Sequence, residues 1–315
     1  MSAGAAAAAA VTAAVSAFAA GAAAGPPPHI VFFLADDLGW NDVSFHGSAQ
    51  IATPTLDRLA AAGVALDRYY VNPVCSPTRA SLMVGRSMMH TGIQTPYGAG
   101  DDASGLNMSY TTLPEQLKLR HNYTSYMVGK WHLGHLPEYL PTRQGFDSYY
   151  GIPYSNDMFP SKTMSYAADC LYREGVRPEA LAAAFPMPKE NMSRWERQPH
   201  KFKNKVPLMR NEACIEFPVD QTTITKRFAD EGIAFISESV KEDKPFFLYL
   251  ANSMPHIPLF ASPDFKGKSE GGLYGDVIEE MDYNVGRILN HLKKLKVDEN
   301  TLVIVTSDNG PWLVM

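Results

Sequence analysis

The sequence of 315 residues has only three cysteines, no internal repeat, no excess of basic residues and no long hydrophobic run after residue 25. A formal net charge of −5 does not support nucleic-acid binding, which requires a basic face. Without a long apolar run we expect no transmembrane anchor. Hydrophobic residues make up 45% and charged residues 19%, a globular composition that argues against disorder. The length predicts one large domain, or one domain with a partial second.

Residues 1–25 differ from the rest of the chain, because almost all of them are small and apolar. Three prolines then break any helix, and the first predicted strand begins at His29. The pattern indicates a secretory signal peptide with a cleavage region near Ala22 to Ala24, although the usual positive n-region is lacking. A disordered alanine tract is the alternative. A membrane span is disfavoured because alanine is barely apolar and no flanking charges anchor it.

Two further features bear on the compartment. N-x-[ST] sequons, typical of a secreted glycoprotein, occur at Asn107, Asn122 and Asn191. If Cys75 is set aside for chemistry, Cys170 and Cys214 remain. They either form a disulfide that closes a loop of about 45 residues, worth ~3–4 kcal/mol, or stay as two buried thiols. The leader, the sequons and the pair of remaining cysteines together favour the secretory pathway, with a lysosomal or extracellular destination.

Four short apolar runs lack strict alternation, as expected of strands buried on both faces; they cover residues 29–37, 124–132, 244–256 and 300–310. Helical patterns lie between or beside them, at residues 53–63, 112–119 and 275–295. This alternation predicts an α/β fold in layers, with a large, mostly parallel sheet flanked by helices.

Each apolar run ends in side chains that can do chemistry: Asp36 and Asp37, Lys130 and His132, His256, and Asp308 and Asn309. In open parallel sheets, ligands bind beyond the carboxyl ends of the strands. Four strands are therefore expected to bring these groups to one edge. A polar surface loop is the better explanation for any one of them alone, and the poorer one for all four.

These side chains are of two chemical kinds. The carboxylates and the amide predict a calcium or magnesium site, whereas zinc would favour sulfur and imidazole ligands. Helix capping explains one of Asp36 and Asp37, but not both together with Asp308. Cationic or hydrogen-bond-donating groups, suited to a tetrahedral oxyanion, are Arg79, Lys130, His132 and His256. Strand alternation is expected to place Lys130 and His132 on one side.

The segment from Cys75 to Arg79, CSPTR, resembles the C-x-P-x-R signature of the type I sulfatases. Further similar motifs follow in family order: LADDLGWND (34–42), GKWHLG (129–134), LPTRQGFDSYYG (140–151), MPH (254–256) and SDNG (307–310). The resemblance includes features of arylsulfatases A and B. It implies an alkaline-phosphatase-like layered fold and a catalytic domain at residues 29–315. That domain is expected to be incomplete, because the family continues with a second sulfate-binding lysine and a smaller carboxyl-terminal domain, both missing here.

The resemblance also implies a mechanism. In the family, a formylglycine-generating enzyme oxidises the signature cysteine to formylglycine (3-oxoalanine), so Cys75 is implied to be a precursor. The hydrated aldehyde has two hydroxyls, one to attack sulfur and one to expel sulfate. By motif position, Ca²⁺, with Mg²⁺ as a substitute, is bound by Asp36, Asp37, Cys75, Asp308 and Asn309. Arg79 holds the hydrate and His132 is the base. The sulfate ester is contacted by Lys130, Ser155 and His256, the last also protonating the leaving oxygen.

Three functions remain open from sequence. The first is a sulfatase acting on a sulfated small molecule, glycan or lipid. The second is a phosphate or phosphonate hydrolase of the related superfamily, which shares the sheet and the oxyanion chemistry. The third is a catalytically incompetent, truncated secreted glycoprotein that keeps the motifs.

Overall fold

The computed structural model describes residues 25–98, 102–158 and 206–312. Its strands are β1 (His29–Ala35), β2 (Thr124–Lys130), β3 (Ser148–Ile152), β4 (Leu208–Arg210), β5 (Ala213–Glu216), β6 (Phe246–Ala251) and β7 (Thr301–Ser307). They form one seven-stranded sheet in the order β5-β4-β3-β2-β6-β1-β7. The pairs β3–β2, β2–β6, β6–β1 and β1–β7 are parallel, whereas the β3–β4 and β4–β5 pairs are antiparallel.

The four predicted strands are confirmed as β2, β6, β1 and β7, which lie side by side. Their carboxyl ends are level, because Ala251 of β6 is in register with Gly129 of β2, and Ala35 of β1 with Ser307 of β7. Whatever follows these strands therefore emerges at one edge of the sheet. The central strands are buried along most of their length, which explains why their sequences are apolar without alternation.

Helices cover the sheet. In the described part of the chain they are α1 (Pro54–Ala62), α2 (Cys75–Val84), α3 (Met88–Thr91), α4 (Leu113–His121), α5 (Ile224–Lys241) and α6 (Gly272–Leu295). The predicted helices are confirmed as α1, α4 and α6. Helix α5 was not predicted from the sequence, although Ile224, Phe228 and Ile236 recur at multiples of four residues and are fully buried.

Gly129 lets β2 and β6 approach closely at the end that carries the functional side chains. Its φ is +111°, and a Cβ added there would lie 1.8 Å from the carbonyl oxygen of Ala251. Only glycine has neither the backbone restriction nor the side-chain volume that would prevent this approach. The position of Lys130, the next residue, depends on it.

Some predictions fall outside the described residues, namely those for residues 1–24, Cys170 and Asn191. Cys214 is disulfide-bonded, whereas Cys75 is free and buried. The sequon residues Asn107 and Asn122 are both exposed. None of the described helices has the length and apolar character needed to cross a lipid bilayer.

Candidate active site

The first two turns of α2 contribute Cys75 and Arg79. Val74 is extended, so the helix begins at Cys75 itself, and Arg79 follows on the same face one turn later. Cys75 is 6% exposed and Arg79 is fully buried. Burial raises the pKa of the Cys75 thiol well above its usual value, even though the nearby Lys130 acts in the opposite direction. The cysteine is therefore a protonated thiol at neutral pH.

The loops after β1 and β7 hold the acidic group together. The Asp308 backbone N–H donates to the Ala35 carbonyl at 3.0 Å, continuing the strand pairing. The Asp37 N–H then donates to Asp308 Oδ1 at 3.2 Å, and Asn309 Nδ2 donates to Asp37 Oδ1 at 2.5 Å. Residues 271 positions apart in sequence are thus adjacent because β1 and β7 are neighbours.

Arg79 connects three of the predicted groups. Its Nε and Nη2 both donate to Asp308 Oδ2, and Nη2 lies 3.3 Å from Asp36 Oδ1. Its Nη1 donates to the backbone carbonyl of Lys130 at 2.6 Å. All these side chains are fully buried, so the guanidinium has exchanged its water for two carboxylates and a carbonyl.

Lys130 stands at the centre of the site. Its Nζ donates to Asp36 Oδ2 at 2.6 Å, to Ser155 Oγ at 3.2 Å and to Cys75 Sγ at 3.5 Å. One ammonium group therefore contacts an acidic residue, the cysteine and the serine, which belong to three different parts of the sequence.

The hydrogen bonds of His256 define its tautomer. Nδ1 lies 2.5 Å from the carbonyl oxygen of Ile257, which only accepts, so Nδ1 carries the proton. In the neutral ring Nε2 is then an acceptor, and Ser155 Oγ donates to it at 3.2 Å. Burial, and then the charge of Lys130, lowers the pKa of His256 to about 4. Nε2 also lies 3.6 Å from Asp37 Oδ2.

His132 is in the site, but not through strand alternation. The prediction that alternation places it beside Lys130 is wrong, because β2 ends at Lys130 and His132 has a left-handed backbone with φ 59°. Its Nε2 lies 2.9 Å from the Tyr97 carbonyl and must donate to it. Nδ1 is therefore the acceptor of the neutral ring; it is buried and has no partner among the described residues. Burial and then Lys130 lower the pKa of His132 well below its usual value.

The acidic residues have the chemistry of a cation site. The atoms of Asp36, Cys75 and Asp308 that could bind a metal ion all lie within 4.8 Å of one another. The same holds for those of Asp37, Cys75 and His256. Asp36 Oδ1 and Asn309 Oδ1 are buried and accept no hydrogen bond in the described structure. Burial, and then Asp36, raises the pKa of Asp37 to about 7; burial and Asp36 likewise raise that of Asp308 to about 6. A divalent cation would stabilise these carboxylates in their ionised form.

A family model described as Sulfatase matches residues 28–314. The chain belongs to the sulfatase family. It is 35% identical over 294 residues to the N-acetylgalactosamine-6-sulfatase of Canis lupus familiaris, covering 91% of this chain and 51% of that protein. Against arylsulfatase A of Homo sapiens the identity is 34% over 287 residues, covering 90% and 52%. The chain thus spans about half the length of these relatives.

The fold comparison agrees. The crystal structure of the PsFucS1 sulfatase from Pseudoalteromonas sp. superimposes with a TM-score of 0.70 at 28% identity, covering 91% of this chain and 56% of that one. The sheet therefore has the alkaline-phosphatase-like fold of the sulfatases. As a family, sulfatases use a formylglycine residue and a divalent metal.

The candidate site contains supporting residues that were not predicted from the sequence. Ser76 Oγ donates to the His132 carbonyl at 2.8 Å and accepts from the Tyr97 N–H at 3.0 Å. Asn156 Nδ2 donates to the carbonyls of His256 and Pro258 at 3.4 and 3.1 Å. Both residues are next to a predicted site residue, and that proximity is the only signal for them in the sequence.

Proposed function

We propose that the protein hydrolyses sulfate esters. One observation carries the proposal: Lys130 Nζ contacts Asp36, Cys75 and Ser155 at once. A cation-binding group, a nucleophile position and an oxyanion-binding group therefore meet around a single buried ammonium. This is the arrangement that attack on a tetrahedral, negatively charged ester requires.

Cys75 is proposed to be the precursor of formylglycine, whose hydrate, formed by addition of water to the aldehyde, would supply the hydroxyl nucleophile that the buried, protonated thiol cannot supply. Arg79, one helical turn away, is proposed to hold the converted side chain. Its own place is secured by Asp308 and by the Lys130 carbonyl. The formylglycine-generating enzyme would be a partner during biosynthesis only.

The proposed metal ligands are Asp36, Asp37, Asp308, Asn309 and the converted side chain at position 75. Four of these offer carboxylate or amide oxygens, which favours Ca²⁺, with Mg²⁺ as the second choice. The ion would neutralise carboxylates that outnumber the two buried cations beside them, Arg79 and Lys130, and would polarise the S–O bonds.

Substrate binding and proton transfer are assigned to the remaining side chains. Lys130 now donates to Ser155 Oγ, and Ser155 donates to His256 Nε2; both would turn these donors toward sulfate oxygens. His132 is proposed as the base, since its unprotonated Nδ1 is a buried acceptor with no partner among the described residues. His256, when protonated, would donate from Nε2 to the sulfate or to the leaving oxygen.

The natural substrate is proposed to be a sulfated small molecule, glycan or lipid. The family relationship to an N-acetylgalactosamine-6-sulfatase makes a sulfated sugar the first candidate to test. We further propose that residues 1–25 form a signal peptide, that residues 29–315 belong to the catalytic domain, and that the protein reaches a lysosomal or extracellular location. The exposed sequons at Asn107 and Asn122 are consistent with that route.

Two measurements test the function. Mass spectrometry of the Cys75 peptide from secreted protein should show a loss of about 18 Da, the difference between a thiol side chain and an aldehyde. The same preparation should hydrolyse nitrocatechol sulfate faster than nitrocatechol phosphate. Faster phosphate turnover would support the phosphate or phosphonate hydrolase instead. An unmodified thiol without turnover of either ester would support a non-catalytic glycoprotein.

A further inference from the structure

A tyrosine of α6 contacts the loop that follows β1, outside the proposed active-site residues. Tyr274 Oη donates to Asp42 Oδ2 at 2.6 Å, across 232 positions of sequence. Asp42 lies five residues after Asp37, on the same loop. The contact therefore connects a long helix to the chain segment that carries two of the proposed metal ligands.

The same carboxylate oxygen holds the loop from inside. Asp42 Oδ2 also accepts from the Gly39 backbone N–H at 2.9 Å. A Cβ added at Gly39 would lie 2.3 Å from that oxygen and 3.0 Å from Cγ of Pro311. Gly39 is thus packed between Asp42 and the loop after β7, with no space for a side chain.

The opposite side of this loop is held by β7. The Leu38 N–H donates to Ser307 Oγ at 3.0 Å, and Ser307 Oγ in turn donates to the Asn309 carbonyl at 2.7 Å. Leu38 and Gly39, which directly follow Asp37, are therefore fixed by hydrogen bonds from two directions. One of these hydrogen bonds is accepted by Asp42, whose carboxylate also accepts the hydrogen bond from Tyr274 of α6.

The helix is a firm support for this contact. Asp276 accepts backbone N–H bonds from Gly267, Lys268 and Ser269, and Asp282 accepts them from Thr55 and Leu56 at the start of α1. These bonds fix α6 to two other segments, so the hydroxyl of Tyr274 has a defined position. Burial, and then Asp42, raises the pKa of Tyr274, which keeps it a donor at neutral pH.

We propose that Tyr274 and Asp42 are positioning residues that set the affinity of the cation site, by restricting the loop on which Asp36 and Asp37 are presented. The inference rests on the proposed cation site. Residues that orient ligands without touching the ion typically change metal affinity about 10- to 100-fold when they are substituted. Replacing Tyr274 with phenylalanine removes the hydrogen bond to Asp42 and keeps the ring in place. Tyr274→Phe is therefore a more specific test than a substitution of Asp42.

The test is a titration of the metal-free protein with Ca²⁺ by calorimetry and with Tb³⁺ by sensitised luminescence. Tyr274→Phe should bind both ions about 10-fold more weakly than the parent protein. Asp42→Ala should lose at least as much affinity for both ions. The matched control is Tyr283→Phe on the same helix, because Tyr283 is 56% exposed and its ring packs against Phe265, away from the loop after β1. This control should bind both ions with the affinity of the parent.

Hydrogen exchange provides a second readout that needs no ion. In the metal-free protein, the amides of residues 38 and 39 should exchange faster in Tyr274→Phe than in Tyr283→Phe. A Tyr274→Phe variant that binds both ions with the parental affinity would overturn the inference, even if its unfolding free energy is lower. A parent that binds neither ion would contradict the proposed cation site. Unchanged exchange at residues 38 and 39 would reject the positioning role separately.

Discussion

The guanidinium of Arg79 donates two hydrogen bonds to a single oxygen of Asp308, at 2.9 Å from Nε and 2.8 Å from Nη2. Both side chains are fully buried. A buried ion pair contributes little net stability, yet removing one partner leaves an uncompensated charge in the interior. This relationship makes Arg79 a structural residue as well as a proposed catalytic one.

Arg79→Ala should therefore lower the free energy of unfolding by about 3–5 kcal/mol, measured by urea denaturation without added metal. Arg79→Lys should recover only part of this loss, because an ammonium cannot reproduce the two-pronged contact. The control is Arg287→Ala, which removes a partly exposed pair with Asp230 and should cost about 0–1 kcal/mol. Equal losses for the two alanine variants would contradict the prediction.

Metal removal should destabilise the protein. A ligand that binds only the folded state at 100 times its dissociation constant adds about 2.7 kcal/mol to the unfolding free energy. We expect Ca²⁺ at such a concentration to raise the thermal midpoint and EDTA to return it to the metal-free value. Asp308→Asn should greatly reduce this shift. Asp67→Asn, at an exposed position, should keep it. A calcium effect that survives Asp308→Asn would place the cation elsewhere.

Asp276 should make stability depend on pH in acid. Burial alone would raise its pKa, but the backbone N–H groups of Ser269, Gly267 and Lys268 outweigh burial and lower it. Because the folded pKa lies below the unfolded value of about 3.9, the carboxylate stabilises the protein above that pH. This contribution is lost as the pH falls through the folded pKa.

Asp276→Asn should accordingly reduce the unfolding free energy by about 1–3 kcal/mol at pH 7. The difference from the parent should shrink as the pH is lowered below about 4. Chemical denaturation at a series of pH values measures this directly. If the difference in unfolding free energy stays constant down to the acid transition, the charge of Asp276 is not what stabilises its contact with residues 267–269.

Two glycine substitutions separate backbone strain from steric exclusion. Gly85 ends α2 with φ +64° and has nothing within 4 Å of an added Cβ, so Gly85→Ala should cost about 1–2 kcal/mol. Gly129→Ala would drive a Cβ to 1.8 Å from a backbone oxygen of β6, which cannot move aside. We expect a loss above ~4 kcal/mol, or no soluble folded protein. The yield of soluble protein and its urea midpoint measure both effects, and similar values for the two variants would disprove the proposed close approach.

The local features of the chain were predictable from its sequence. Buried parallel strands have apolar runs that need no partner to be recognised. The helices at residues 54–62 and 113–121 begin with a threonine and a first-turn proline, and the helix at residues 272–295 has an apolar stripe. The short strands β4 and β5 were not predicted. They have three and four residues, too few to show a period, and they exist because β3 offers an edge to pair with.

That these polar side chains meet at one edge of the sheet was predictable from sequence, but their geometry was not. The placement of His132 shows the difference, because a left-handed turn after Lys130, and not strand alternation, brings its ring to the Tyr97 carbonyl. Ser76 and Asn156 were missed for a similar reason. Their roles consist of hydrogen bonds to the backbone of distant segments, and a backbone carbonyl has no signature in sequence.

The sequence by itself determined which groups are available: apolar runs that must be buried, polar residues where those runs end, and a motif that marks Cys75. Only the tertiary structure decided that β1 and β7 are neighbours, that Lys130 contacts three separate segments, and that Tyr274 supports the loop of Asp36 and Asp37. The physical reason is that apolar burial and strand formation depend on local composition, whereas strand order, hydrogen bonds and ion pairs require distant segments to meet, the hydrogen bonds at distances of about 3 Å. Such distances between residues far apart in the chain are set when the whole sheet and its helices pack together.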